Sequence, residues 1–401
     1  MKITEIKVLL TAPDRRNMVL AKVCTDEGVH GCGEGTLNGA EPVVARAIEH
    51  LAPLLIGMDP RRTEDIWQFV HHCGYFRGGP VLASALGAID LALWDIKGKL
   101  AGLPVYELLG GRCRRGVMVY RHAAGRDAAE AADDARRLLA AGDKVVRVQQ
   151  SCAGSYGGAG TLGRAAPAAE GLPGVETFEP AAYLRATPGF LAGVREALGE
   201  KVELCHDVHE RLTPPEAARL AGDLEPMRLM FLEDCLRPED ADGFRIVRAA
   251  STIPLAMGEL FCSRGQAVPL IGGRLIDYIR IAPVHVGGLT EARKIAAFAE
   301  MHHVRTAFHG AADLGVVGQA AAVHLDLAIP NFGVQEWIDF EARPQTREVV
   351  GPPCRLEDGY ANPGEGPGLG VDIDEAAAAK HPYSSAYMPL VRRDDGTMFV
   401  F

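Results

Sequence analysis

The sequence predicts an α/β fold, a (β/α)7β-type TIM barrel with an N-terminal α+β capping domain, and three observations predict it. The apolar runs VELCHD, LMFLED and PLAMGE each end in a carboxylate, Asp207, Glu233 and Glu259, spaced 26 residues apart. That is about one strand plus its return helix and two loops. From Gly116 the chain alternates strand-like and helix-like segments, and the strands VMVYRH, KVVRVQ, VELCHD, LMFLED, PLAMGE, IDYIRI, VRTAFH and FGVQE number eight, which closes a barrel. Before Gly116 the pattern is different, with short alternating runs followed by three helical stretches.

Residues 1–10 alternate, and MVLAKVCTDEGVHGCGE adds a second alternating run, a turn at Asp26-Glu27-Gly28 and a third run. This reads as a three-stranded antiparallel meander. Helical patterns follow at Pro42 to Leu54, Thr63 to His72 and Pro80 to Lys99. The loop GEGTLNG carries Asn38, which either reaches over a neighbouring pocket or is simply part of a turn rich in Gly and Asn. The expected division is a capping domain at 1–115, a barrel at 116–345 and a C-terminal segment at 346–401 that packs back on the capping domain.

The barrel strands are short and continuously apolar, as strands buried on both faces are. Their C-terminal ends supply His122, Arg147, Asp207 with His209, Glu233, Glu259, Arg280, His309 and Glu336, and that rim is where a barrel enzyme keeps its chemistry. One acid before a helix is ordinarily a cap or a solvated loop residue. Three in register repel one another unless a cation sits among them, and oxygen ligands suit Mg²⁺. The connection SCAGSYGGAGTLGRAAPAAEGLPGVET is far longer than a usual βα loop. Its glycines 158, 160 and 163 have GxGxxG spacing but open no helix, so they do not make a nucleotide site.

Composition limits the function classes. A 401-residue chain with 48% hydrophobic and 23% charged residues suits a barrel plus a smaller domain. No apolar stretch approaches 18 residues, so no membrane span or signal peptide is expected. A net charge of −10 without a basic run argues against a nucleic-acid partner. A small anionic substrate would need a local positive site, which Mg²⁺ and nearby arginines could supply. The nine cysteines form no CxxC pair and read as reduced residues of a cytoplasmic protein.

The segment AIDLALWDIKGKLAGLPVYELLGG and the ladder of acids resemble the enolase superfamily. The motifs TLNG, YRHAAG, HDVH, FLEDC, GELF, IDYIR, FHGAADL, PNFGVQE and PGLGVDIDE resemble its mannonate dehydratase group across essentially the whole chain. The sequence departs from that group in reading HAAG for HANG and in ending on Phe401 rather than Trp. The resemblance implies Mg²⁺ on Asp207, Glu233 and Glu259, a base at Tyr156 paired with Arg147, an acid at His209, and substrate contacts from Asn38, His122, Arg280, His309, Asp313 and Glu336. It also implies a symmetric homo-oligomer.

The residues bear on these roles independently. The second barrel strand ends VQQ and offers no lysine base, and the RIAPV preceding His309 offers it no carboxylate partner, so His309 reads as a donor to substrate. That leaves Tyr156, whose phenol must drop from ~10 to near neutrality, worth ~4 kcal/mol. The Arg147 guanidinium could lower it, or could instead form an ion pair within the barrel. Asp207 and His209, two apart on a strand, should face the same side. The expected activity is Mg²⁺-dependent dehydration of a sugar acid, D-mannonate to 2-keto-3-deoxy-D-gluconate. The alternatives are a D-gluconate or other aldonate dehydratase, an epimerase, or a sugar-acid-binding regulatory protein.

Overall fold

The structure is a computed structural model that describes residues 1–150, 176–311, 313–386 and 390–399. The chain folds into two compact units, one formed by Met1–Val119, Gly258–Gly272 and Ile279–Tyr387, the other by Tyr120–Met257, Gly273–Tyr278 and Met388–Phe401.

The first unit begins with the meander. Strands β1 (Ile3–Thr11), β2 (Met18–Thr25) and β3 (His30–Glu34) pair antiparallel in the order β1-β2-β3. Helices α1 (Glu41–Leu55), α2 (Thr63–His72) and α3 (Pro80–Ala101) follow, within a residue or two of the sequence reading. Pro80 opens α3 and Gly102, at φ 67°, closes it in the left-handed conformation that costs glycine little. The core joins Val19, Ala21 and Val23 of β2 to Ile48 of α1, Ile66 of α2 and Ile89, Leu93 and Ile96 of α3. Close approach of α3 to β3 depends on Gly31 and Gly33. A Cβ at either would lie 1.9 or 1.8 Å from the carbonyl oxygen of Ala92 or Ala88. At the end of β3 the buried Glu34 accepts backbone N–H groups of Gly315 and Gly318, at the start of the helix Val316–Ala328. That placement suits the positive end of a helix.

The C-terminal segment in this unit forms the hairpin Arg355–Glu357 with Tyr360–Asn362, which pairs with Val117 and Met118, and a strand Asp372–Ile373 pairing with Val350–Gly351. Thr11 Oγ1 donates to the carbonyls of Ala378 and His381 at 2.9 Å each.

The barrel strands Val117–Ala123, Val145–Val148, Glu203–Asp207, Phe231–Glu233 and Leu255–Met257 run parallel in chain order. The remaining expected strands are present at Tyr278–Ile279, Arg305–Thr306 and Gln335–Glu336, all shorter than their apolar runs. The return helices carry local signals. Asp127 caps Ala128–Ala140, and Thr213 with Glu216 forms a capping box on Pro214–Leu224. A short parallel pair, Glu176–Thr177 with Val391–Arg392, brings Phe399 within 4.9 Å of Phe178. Among the described residues no helix is long and apolar enough to cross a membrane.

Candidate active site

In the second unit, strand register assembles one group of side chains. His122 is the register partner of Arg147, Arg147 of Cys205, and Asp207 of Glu233. The Arg147 guanidinium lies 2.8 Å from Asp207 and 3.6 Å from Glu233, and its other nitrogen is 3.1 Å from His122 Nδ1. The ion pair that the sequence left open for Arg147 is therefore present. Tyr120 donates its hydroxyl to Glu233 at 3.2 Å, and Gln149 donates to the Asp207 carbonyl at 3.2 Å. Asp207 and Glu233 are fully buried. Two adjacent buried carboxylates on paired strand ends present an all-oxygen donor set, which fits a hard divalent cation.

One expectation about this group is corrected. The strand ends at Asp207, and His209 lies beyond it at φ 61°, followed by Glu210 at φ 54°. Strand alternation therefore does not place His209 on the side of Asp207. A tight turn links the two residues instead, with Asp207 Oδ1 accepting the His209 backbone N–H at 2.8 Å. Such left-handed positions are costly for a histidine and persist where surrounding contacts fix them. Here Val208 and Glu210 donate their N–H groups to the carbonyls of Glu233 and Asp234.

The first unit holds a second group. Gly258, at φ 136°, turns the chain ahead of Glu259. The Arg280 side chain is completely buried and lies 3.1 Å from both Glu259 and Glu336. His309 Nδ1 is 3.0 Å from Glu336 and 3.3 Å from Glu259, and its Nε2 is 2.9 Å from Asp313. The Gly310 N–H donates to Glu336 at 3.1 Å. The expectation that His309 lacks a carboxylate partner is thus overturned. Its partners come from Asp313, four residues on, and from other strand ends, so the RIAPV that precedes it was the wrong place to look. Burial works to lower the His309 pKa, but Asp313, Glu259 and Glu336 together hold it well above the ordinary imidazole range. That direction favours the protonated ring, which donates rather than accepts a proton. Asp313 is buried but held below its usual range by the same pair.

Asn38 sits half-buried in the turn after β3. Tyr156 lies outside the described residues. Several groups were not anticipated. Glu210 and Asp234 are buried beside the acids that were, and Tyr120 lies against Glu233. The available signal was a second acid adjoining each motif, in HDVHE and FLED, but single letters do not say which of two neighbours faces inward.

The fold and these strand-end groups define an α/β-barrel protein preceded by a small α+β domain. The chain belongs to the enolase superfamily: residues 2–110 match the mandelate racemase/muconate lactonizing enzyme N-terminal domain and residues 175–377 the enolase C-terminal domain-like family. It is 49% identical over 403 residues to a D-mannonate dehydratase of Caulobacter sp. (strain K31), covering 100% of this chain and 99% of that one. It is 48% identical to a D-galactonate dehydratase family member of Halomonas elongata, with complete coverage of both. The crystal structure of an enolase from Pantoea ananatis with bound D-gluconate and Mg superposes with a TM-score of 0.94 at 42% identity, covering 99% of each chain.

Proposed function

We propose that this chain is a Mg²⁺-dependent sugar-acid dehydratase, a hydro-lyase that converts D-mannonate to 2-keto-3-deoxy-D-gluconate and water. The observation that carries the reading is the row of buried acids at successive strand ends. Asp207 and Glu233 are register partners, and Glu259 follows the next parallel strand. These three would hold the metal, which supplies positive charge for the substrate carboxylate and for the charge that builds on it during reaction. The full-length likeness to D-mannonate dehydratases supports the substrate class.

The chain's own residues supply the proton transfers. Tyr156 takes the C2 proton, leaving an enediolate, with Arg147 favouring its phenolate form. His209 gives a proton to the departing 3-hydroxyl, which leaves as water, and the resulting enol tautomerises to the 2-keto acid. His309, paired with Asp313 and Glu336, donates to a substrate oxygen together with Arg280. Asn38 and His122 complete the hydroxyl contacts. The protein acts in the cytoplasm as a homo-oligomer. The Pantoea ananatis neighbour, which holds D-gluconate and Mg, favours a second reading in which D-gluconate or another aldonate is turned over with low activity.

The test is a panel of diastereomeric aldonates with a keto-acid readout. D-mannonate should be the fastest substrate. If only D-gluconate or another aldonate reacts, the second reading holds, and turnover of none of them would point to a sugar-acid-binding regulatory protein.

A further inference from the structure

The face of the N-terminal meander under the C-terminal segment carries donors that the proposed reaction does not use. His30 and Cys32 are two apart on β3 and so lie on one face. Asp372, on the short strand Asp372–Ile373, meets both, with its Oδ1 2.9 Å from His30 Nε2 and 3.3 Å from Cys32 Sγ. All three donor atoms lie within 4.8 Å of one another. Tetrahedral zinc with bonds near 2.0–2.3 Å requires donors roughly 3.3–3.8 Å apart, so small side-chain adjustments would suffice.

The strand beneath is held firmly. Asp95 accepts the Cys32 N–H at 2.9 Å, and Lys99 lies 2.7 Å from Asp95 and donates to the His30 carbonyl at 3.0 Å. Cys32 is buried, His30 is partly exposed and Asp372 is open to solvent, so an ion could enter from the Asp372 side with water as a further ligand. Of the neighbouring cations, Lys99 is paired with Asp95, and Lys22 is 3.9 Å from Asp372 but also 3.5 Å from Glu375, which offsets its charge.

We propose that His30, Cys32 and Asp372 form a binding site for a borderline transition-metal dication of the Zn²⁺ class, distinct from the oxygen-ligand Mg²⁺ site. One imidazole, one thiolate and one carboxylate are the donors such an ion prefers, and Mg²⁺ does not compete for sulfur. Without metal the thiol keeps its proton, because burial and then Asp95 push it up, and Cys32 donates to Asp372. Binding therefore releases that proton, and affinity rises with pH. The ion would tie the C-terminal segment to the meander.

Co²⁺ is the probe, added to full-length protein already saturated with Mg²⁺. A thiolate-to-cobalt charge-transfer band should grow to one equivalent and bleach when Zn²⁺ is added. An all-oxygen site cannot give that band. Cys32→Ser should abolish it, while Cys24→Ser, whose residue is the register partner of His30 on β2, should keep it. His30→Gln and Asp372→Asn should weaken Co²⁺ binding at least ~10-fold, and Asp372→Asn changes an exposed side chain that leaves the fold intact. Absence of the band in the wild type overturns the proposal, as does a band that survives Cys32→Ser or is indifferent to both His30→Gln and Asp372→Asn.

Discussion

At the scale of single residues, the turn at His209 separates the two proton transfers. His209→Asn keeps the Asp207–N–H bond that shapes the turn, because that bond uses the backbone of residue 209. The variant incubated with D-mannonate in D₂O should gain deuterium at C2 without forming the keto acid, since Tyr156 still labilises that hydrogen. Normal dehydration by this variant would refute the acid role. A second residue affects stability rather than chemistry. Asp90 is buried in α3, accepts the Thr290 N–H at 2.9 Å, and burial pushes its pKa up to about 7. The folded state thus keeps a proton that the unfolded chain releases near pH 4. This contribution is fully present below that range, declines as pH rises, and is lost above pH 7, a change on the order of 4 kcal/mol. Asp90→Asn cannot ionise, so its stability relative to wild type should grow from pH 5 to pH 8. Urea midpoints measured across that range check the sign, and a constant difference would show that Asp90 is ionised throughout.

At the scale of elements, the packing of α3 on β3 depends on glycine more than on apolar bulk. The Cβ of an alanine at position 33 would meet a helix carbonyl at 1.8 Å, and a backbone oxygen cannot rotate out of the way. Gly33→Ala should therefore cost ~3 kcal/mol or more, the upper end for overpacking. An urea-unfolding midpoint within error of wild type would mean the helix can lift without loss. The alternation of β3 was readable in the sequence, but the need for glycine was not. HGCGE reads as a weak strand until the partner backbone is seen to lie against it.

At the scale of the whole molecule, metal and fold should be linked. An ion that binds the native chain and not the unfolded one stabilises it by ~2.7 kcal/mol at a hundred times its Kd. Mg²⁺ should accordingly raise the thermal midpoint, EDTA should reverse the rise and stop turnover, and Glu233→Gln should lose both responses while still folding. Full activity in EDTA would remove Mg²⁺ from the reaction.

The sequence by itself determined the order of elements, the eight strands and the positions of the strand-end acids. Those features depend on local patterning: a buried parallel strand must be apolar, and the acid that ends it stands out against that background. It also determined that Asp207, Glu233 and Glu259 recur at equal spacing, since one βα unit has a nearly fixed length. Only the tertiary structure decided the partners. His309 gains Glu336 and Glu259 from distant strand ends, Arg147 gains Asp207 from the next strand, and Cys32 meets Asp372 some 340 residues away. Such pairs are set by strand register and by how the chain returns on itself, and neither leaves a periodic trace in the sequence. The conformation of His209 was hidden for a related reason: the strand ends at Asp207, two residues short of it, and Val208 and Glu210 donate their N–H groups to the carbonyls of Glu233 and Asp234 on the neighbouring strand end.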